Sequence, residues 1–254
     1  MADNDTMTAA PEADLRFYCD PFCPFSWLTS KWVRMVAAQR HYEVDWRFIS
    51  LRILNAHIDY PSHFPPEYEA GHTAGLRLLR VAARVRADHG RQAVGPLYEA
   101  IGTRIFDTSR SVDPLSASDQ GARHILEPLL LEVGLPTTLA DALDDTDLDA
   151  EIRGETEEAL ALTGRDVGTP ILHFGPPDGA AFFGPVISRL PSADDAGRLW
   201  DHIVGLADFA GFAELKRSLR ERPQLASFGV DPDAVGITED WHGGSRIHRN
   251  RPDT

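Results

Sequence analysis

The sequence predicts an α/β fold in which one sheet is interrupted by an all-helical insertion, and three observations carry that prediction. A strand–helix–strand pattern opens the chain between Leu15 and Leu51. From Pro65 to about Gly164 the apolar residues follow helical spacing alone. Strand patterns then resume between Thr169 and Phe183, and a closing helix follows them. β-α-β, a helical block and β-β-α is the order of a sheet split by an insertion.

Leu15, Phe17 and Cys19 alternate onto one face of a first strand, which the turn Asp20-Pro21-Phe22 stops. A helix begins at Pro24, since proline is at home in the first helical position, and Leu28, Trp32, Met35 and Val36 recur on its core side. Glu43 to Leu51 reads as a second strand, with Val44, Trp46 and Phe48 on one side. Helical patterns over Tyr68 to His89, Val94 to Ile105, Ala117 to Val133 and Leu148 to Leu162 follow. Gly90, Pro114, Gly134-Leu135-Pro136 and Asp144-Asp145 separate them. Strands over Thr169 to Phe174 and Ala180 to Phe183 flank the turn-forming run Gly175-Pro176-Pro177-Asp178-Gly179. The closing helix is expected from about Ala193 to Arg220, and beyond Pro223 the chain reads as a flexible or loosely docked extension with a basic end (Arg246, Arg249, Arg251). The expected organisation is therefore a flexible 1–14, an α/β domain from 15–64 and 165–222, a helical subdomain over 65–164 and an extension over 223–254.

Composition excludes several classes of function. Twenty-five Lys and Arg stand against 39 Asp and Glu, a net charge of −14. Such a surface repels phosphate backbones and anionic lipid, so neither nucleic acid nor membrane is an expected partner. Met1 to Asp14 lack the basic start and apolar stretch of a secretory leader, and no run of 18 apolar residues occurs. A cytoplasmic location follows as the expectation, and in that reducing compartment the two cysteines, Cys19 and Cys23, serve chemistry or packing rather than a structural bridge. His57, His63 and His72 lack ligand-like spacing, so no metal is expected, and no phosphate-binding glycine loop suggests a nucleotide.

The chemistry concentrates in Asp20-Pro21-Phe22-Cys23-Pro24-Phe25-Ser26-Trp27. Pro24 keeps Cys23 extended and places its sulfur at the helix N-cap, facing the positive end of the helix dipole and the free N–H groups of Phe25 and Ser26. A thiol so placed is expected to titrate at roughly 3.5–7.5. Lowering the pKa from about 8.5 to about 6 raises the thiolate fraction at neutral pH some thirtyfold, and reduced basicity takes back roughly tenfold of that in attack rate. The larger gain is a sulfur that leaves easily from a mixed disulfide. Ser26 stands where a Cys-x-x-Cys enzyme carries its resolving cysteine. Its hydroxyl could donate to the thiolate, which suggests a monothiol mechanism resolved by an external small thiol. Cys19, sharing a strand face with Leu15 and Phe17, reads as a buried, inert thiol.

Cys23-Pro24-Phe25-Ser26 after a strand, with Val167-Gly168-Thr169-Pro170 far downstream, resembles the active-site helix and cis-proline loop of the DsbA-like thioredoxin superfamily. Further segments resemble the mycothiol-dependent nitroreductases of actinobacteria: Ser50-Leu51-Arg52-Ile53-Leu54-Asn55, Ile101-Gly102-Thr103-Arg104-Ile105, Phe182-Phe183-Gly184-Pro185-Val186 and Glu214-Leu215-Lys216-Arg217. The resemblance runs from about Leu15 to Pro223. It implies a thioredoxin-like fold with an inserted all-helical subdomain and mycothiol, or another low-molecular-weight thiol, as reductant. The resemblance carries Cys23 over as the nucleophile and Thr169-Pro170 as the loop lining the sulfur site. With the reading of the residues themselves, Cys23 and Ser26 are the expected catalytic pair. Pro24, Phe25, Thr169 and Pro170 are expected to bind the thiol and a small-molecule or mixed-disulfide substrate, together with Trp27, which falls on a matching position but also reads as a core tryptophan. Ser26 replaces the family's second cysteine and Phe106 a family histidine, so nitro reduction carries over less readily than thiol transfer. Kappa-class glutathione transferases and 2-hydroxychromene-2-carboxylate isomerases share the fold and offer a transferase alternative. A redox-inactive binding module is a third reading.

Overall fold

A computed structural model describes residues 13–109, 116–216 and 222–230. Strand β1 (Leu15–Cys19) leads through the Asp20–Phe22 turn into helix α1 (Pro24–Arg40), and β2 (Val44–Phe48) completes a parallel β-α-β unit. Among the described residues between β2 and the next strand every regular element is helical: α2 (Leu51–Leu54), α3 (Tyr60–His63), α4 (Pro66–His89), α5 (Val94–Gly102), α6 (Arg123–Glu132) and α7 (Asp149–Thr163). Strands β3 (Ile171–Phe174) and β4 (Ala181–Phe183) form an antiparallel hairpin, and α8 (Ala193–Ala207) follows. Among the described residues the strand order is β2-β1-β3-β4, with β3 antiparallel to β1. This is a thioredoxin-like fold with a helical segment set between β2 and β3.

Both faces of β1 are covered, as its strand alternation requires. Leu15, Phe17 and Cys19 join the larger core with Leu28, Trp32 and Val36 of α1, Trp200 of α8 and the helices of the segment. Tyr18 points the other way, into a smaller cluster with Ile49, Ile171 and Ala159 and Leu160 of α7. Trp32 and Trp200 meet edge to face at 5.5 Å, and Trp32 Nε1 donates to the Ala196 carbonyl at 3.0 Å. Glu155 of α7 is almost wholly buried and is fully used: it accepts from Arg47 Nη1 at 2.6 Å, Arg86 Nη1 at 2.7 Å and the Phe48 N–H at 2.8 Å. A buried carboxylate is tolerated only with such partners, and these tie α4 and α7 to β2.

Several boundaries differ from the sequence expectation. The second strand ends at Phe48 because Ser50 caps α2, its hydroxyl accepting the Ile53 N–H at 3.4 Å. The long segment Ala117–Val133 is a 3-10 turn (Asp119–Gly121) followed by α6. Helix α8 stops at Ala207, short of Arg220: past it the chain turns at Gly211, and Phe209 and Leu215 are exposed, so no apolar stripe remains to dock another turn. The start of the expected loose extension is in fact packed, with Leu225 fully buried in the main core and the Gln224 N–H on the Ser188 carbonyl at 2.7 Å. Of the expected flexible residues 1–14, Ala13 is buried and Asp14 is held by the Glu43 N–H at 2.7 Å and the Gly175 N–H at 2.9 Å, because both lie against the start of the sheet. Residues 1–12 and the basic end of the extension lie outside the described residues.

Urea unfolding of three variants tests this packing. A Cβ at Gly95 would sit 2.6 Å from Trp46 Nε1, whereas one at Gly154 meets nothing within 4 Å. In urea unfolding, Gly95→Ala is expected to lose about 1–3 kcal/mol, and Gly154→Ala to gain about 0.5–1 kcal/mol. Leu225→Ala is expected to lose about 2–4 kcal/mol by the same measurement if the extension is part of the core, and almost nothing if it is not.

Candidate active site

Cys23 occupies the N-cap of α1 with extended backbone (φ −89°, ψ 114°), and Pro24 opens the helix. Its sulfur accepts the Ser26 N–H at 3.4 Å. On its other side the thiol donates to the Thr169 carbonyl at 3.5 Å, and the Thr169–Pro170 peptide is cis. Thr169 reaches the site because β3 begins two residues later and pairs with β1, placing Ile171 across from Tyr18. The Ser26 and Thr169 hydroxyls share a 2.7 Å hydrogen bond, and Thr169 Oγ1 also donates toward the Tyr18 carbonyl at 3.5 Å. Cys23, Ser26 and Thr169 are thus gathered in one buried cluster. Pro24 and Phe25 lie at its partly exposed edge, while Trp27 turns into the core, 1% exposed, between Tyr98 and Phe106.

The electrostatics correct the sequence expectation. Burial pushes the Cys23 thiol up to about 11, and the nearby Asp20 carboxyl adds to the rise. The Ser26 N–H, the Ser26 hydroxyl and the Phe25 N–H pull it back down without reversing it. The N-cap donors are present as predicted, but a cysteine only 7% exposed loses more by desolvation than the helix terminus returns. Ser26 supports the sulfur chiefly through its backbone. Its hydroxyl has one proton, and the 2.7 Å contact to Thr169 is the shorter claim on it.

Cys19 is a free, buried thiol whose Sγ donates to the Arg47 carbonyl at 3.7 Å, and burial raises its pKa well above the ordinary range. Cys23 is likewise free. His72 is satisfied by the Tyr60 hydroxyl at 3.0 Å, and burial lowers its pKa to about 4, so it is neutral. Among the described residues no cluster of three His, Cys, Asp or Glu side chains is placed to hold a metal ion, and no helix is long and apolar enough to cross a membrane.

Two site features were missed from the sequence. Asp20 is fully buried, accepting the Phe22 N–H at 2.7 Å and the Leu51 N–H at 2.8 Å, so it braces the turn before Cys23 against the start of α2. Burial lifts its carboxyl to about 7 despite those two donors. An Asp two residues before a turn N–H is an Asx-turn signal that could have been read. The second is a cleft of about 1260 Å³ beside Phe25, walled by Val167, Phe174, Phe182, Phe183, Phe209 and Phe212 among others. Its walls come from four separate stretches of chain, which no local pattern brings together.

The family model described as Rv2466c-like, mycothiol-dependent nitroreductase Rv2466c, matches residues 22–217. Uncharacterized protein Rv2286c of Mycobacterium tuberculosis is 31% identical over 203 residues, 79% of this chain and 80% of that protein. Among solved structures, a proposed protein disulfide isomerase from Nitrosomonas europaea aligns with a TM-score of 0.48 at 12% identity, covering 77% of this chain and 98% of that one. The cytosolic disulfide reductase DsbM from Pseudomonas aeruginosa aligns with a TM-score of 0.43 at 17% identity, covering 76% and 99%.

A thiol pKa raised to about 11 leaves little thiolate at neutral pH. Alkylation of Cys23 by iodoacetamide is therefore expected to climb about tenfold per pH unit from pH 7 to 10, because the rate follows the thiolate fraction. A plateau by pH 8, read from the mass of the Cys23 peptide, would instead mark a thiol ionised at rest.

Proposed function

Because the chain belongs to the Rv2466c-like family of mycothiol-dependent nitroreductases, we propose that it is a thiol-disulfide oxidoreductase working through Cys23 alone. The observation that carries this reading is the placement of the Cys23 sulfur between the Ser26 N–H and the Thr169 carbonyl of the cis-proline loop, with serine in the resolving position. The Cys23 thiolate attacks one sulfur of a mixed disulfide, forms a new S–S bond to it and releases the other half as a thiolate, which takes up a proton. The Ser26 and Phe25 N–H groups hold the Cys23 sulfur as charge develops on it, when it attacks and again when it leaves. The resting proton on Cys23 lies on the Thr169 carbonyl, so that backbone oxygen orients the S–H bond until the proton departs.

A low-molecular-weight thiol, mycothiol in this family, would supply the second sulfur and the reducing equivalents that return Cys23 to its free form. The donor set fits such a partner: one sulfur flanked by the Ser26 N–H and the Thr169 carbonyl, and no second cysteine on the Cys23 helix. The pool of reduced thiol that this needs is that of the cytosol. Phe25 and the aromatic cleft beside it support a small-molecule or mixed-disulfide substrate lying across the edge of the α/β part. We read residues 65–164 as a helical subdomain closing the opposite side of Cys23.

The raised Cys23 pKa favours one second reading. A thiol that stays protonated can donate its S–H to a bound cofactor thiolate, as a serine does in the kappa-class transferases.

Intact mass after incubation with oxidised mycothiol and, separately, oxidised glutathione distinguishes the two. The exchange reading expects one adduct on Cys23, removed by the matching free thiol and absent in Cys23→Ala. An unmodified Cys23 beside noncovalently retained thiol would move the assignment to the transferase.

A further inference from the structure

We propose that Asp107 is a positioning residue for Cys23, acting through the Trp27 indole to hold the first turn of α1. This rests on the reading of Cys23 as the reacting group. The Trp27 backbone N–H closes that first turn on the Cys23 carbonyl at 3.0 Å. Its indole Nε1 donates to Asp107 Oδ1 at 3.1 Å, and Lys31 Nζ, one turn further along α1, lies 2.7 Å from Asp107 Oδ2. Lys31 also sits 5.3 Å from the centre of the Trp27 ring. One carboxylate from the helical segment therefore holds two successive turns of the helix that carries Cys23.

The segment around Asp107 is shaped to this purpose. A Cβ at Gly102 would lie 2.2 Å from the Trp27 ring, so α5 approaches the indole only because that position is glycine. Phe106 stacks on the ring at 6.5 Å and 22°, and Tyr98 meets its edge at 6.0 Å. Between Gly102 and Asp107 the chain adopts a π-helical turn, Thr103–Asp107. The wider i→i+5 turn rotates the residues after it about the axis relative to an α-helix, and it delivers the Asp107 carboxylate to Nε1. π turns of this kind recur at functional sites.

The consequence reaches the sulfur through a single peptide. Ser26 N–H, the direct donor to Cys23 Sγ at 3.4 Å, belongs to the residue immediately before Trp27. An indole fixed by Asp107 holds that N–H on the sulfur. Released from Asp107, the first turn frays, and the thiolate loses a donor whose loss slows its formation about tenfold.

The test is the pH profile of Cys23 alkylation, read from the Cys23 peptide of the full chain, with urea unfolding run on each variant. Asp107→Ala is expected to slow alkylation about tenfold below pH 10 and to move the profile to higher pH. Asp107→Asn keeps an oxygen that accepts from Nε1 and is expected to stay within about twofold of wild type. Trp27→Phe keeps a ring against Gly102 and loses the N–H. It should match Asp107→Ala, and combining the two should cost nothing further. Wild-type alkylation in Asp107→Ala or in Trp27→Phe overturns the proposal. So does an Asp107→Asn as slow as Asp107→Ala, which would assign the effect to the Lys31 ion pair. Should Asp107→Ala fail to fold, Asp107→Asn and Trp27→Phe decide the matter. Failure of the exchange reading shows separately, as the absence of any thiol adduct on wild-type Cys23.

Discussion

The polar side chains of the first turns of α1 are withdrawn from water, and each must find its partner inside the protein. Cys23, Ser26, Thr29 and Ser30 are all buried there. The helix itself satisfies only part of this demand, because its first N–H groups have no partner within the helix. The rest comes from chain more than 140 residues away: the Thr169 carbonyl and hydroxyl serve Cys23 and Ser26, and the Pro185 carbonyl accepts from Thr29 Oγ1 at 2.8 Å. Only a sheet with β1 paired to β3 brings those groups within reach. The β2-β1-β3-β4 order and the buried thiol are therefore one arrangement seen from two sides.

The same withdrawal from water governs the chemistry. A helix N-terminus lowers a thiol pKa when the sulfur also keeps contact with solvent, and desolvation acts in the opposite sense. At Cys23 desolvation is the larger effect, so the resting site holds a protonated thiol on a carbonyl rather than a free thiolate. Asp20 responds to the same low-dielectric surroundings, its carboxyl lifted to about 7 although two backbone donors point at it.

The helices between β2 and β3 approach the site at glycines. Gly71 lies against Phe22, Gly75 against the Asp20 carboxyl and Gly102 against the Trp27 ring, each so close that a Cβ would collide. The turn before Cys23 and the turn after it are thus both held by the helical segment. Backbone approach of this kind transmits a displacement of α4 or α5 directly to the ends of the reacting residue, since close-packed interiors leave no slack to absorb it.

Local sequence determined the parts whose causes are local. The Leu15-Phe17-Cys19 alternation, Pro24 at the helix start, Cys23 at the N-cap and the glycine-proline hairpin after Phe174 follow from backbone preferences that neighbouring residues settle among themselves. The pairing of Ser26 with Thr169, the brace from Asp20 to Leu51, the hold of Asp107 on Trp27 and the end of α8 at Ala207 were not legible. Each depends on which distant surface covers a residue, and periodicity along one segment carries no information about that surface. The thiol pKa belongs with these. The helix dipole that lowers it is written in Cys23-Pro24, but the burial that raises it further is set by the packing of the whole molecule around the sulfur, so tertiary structure decided its sign.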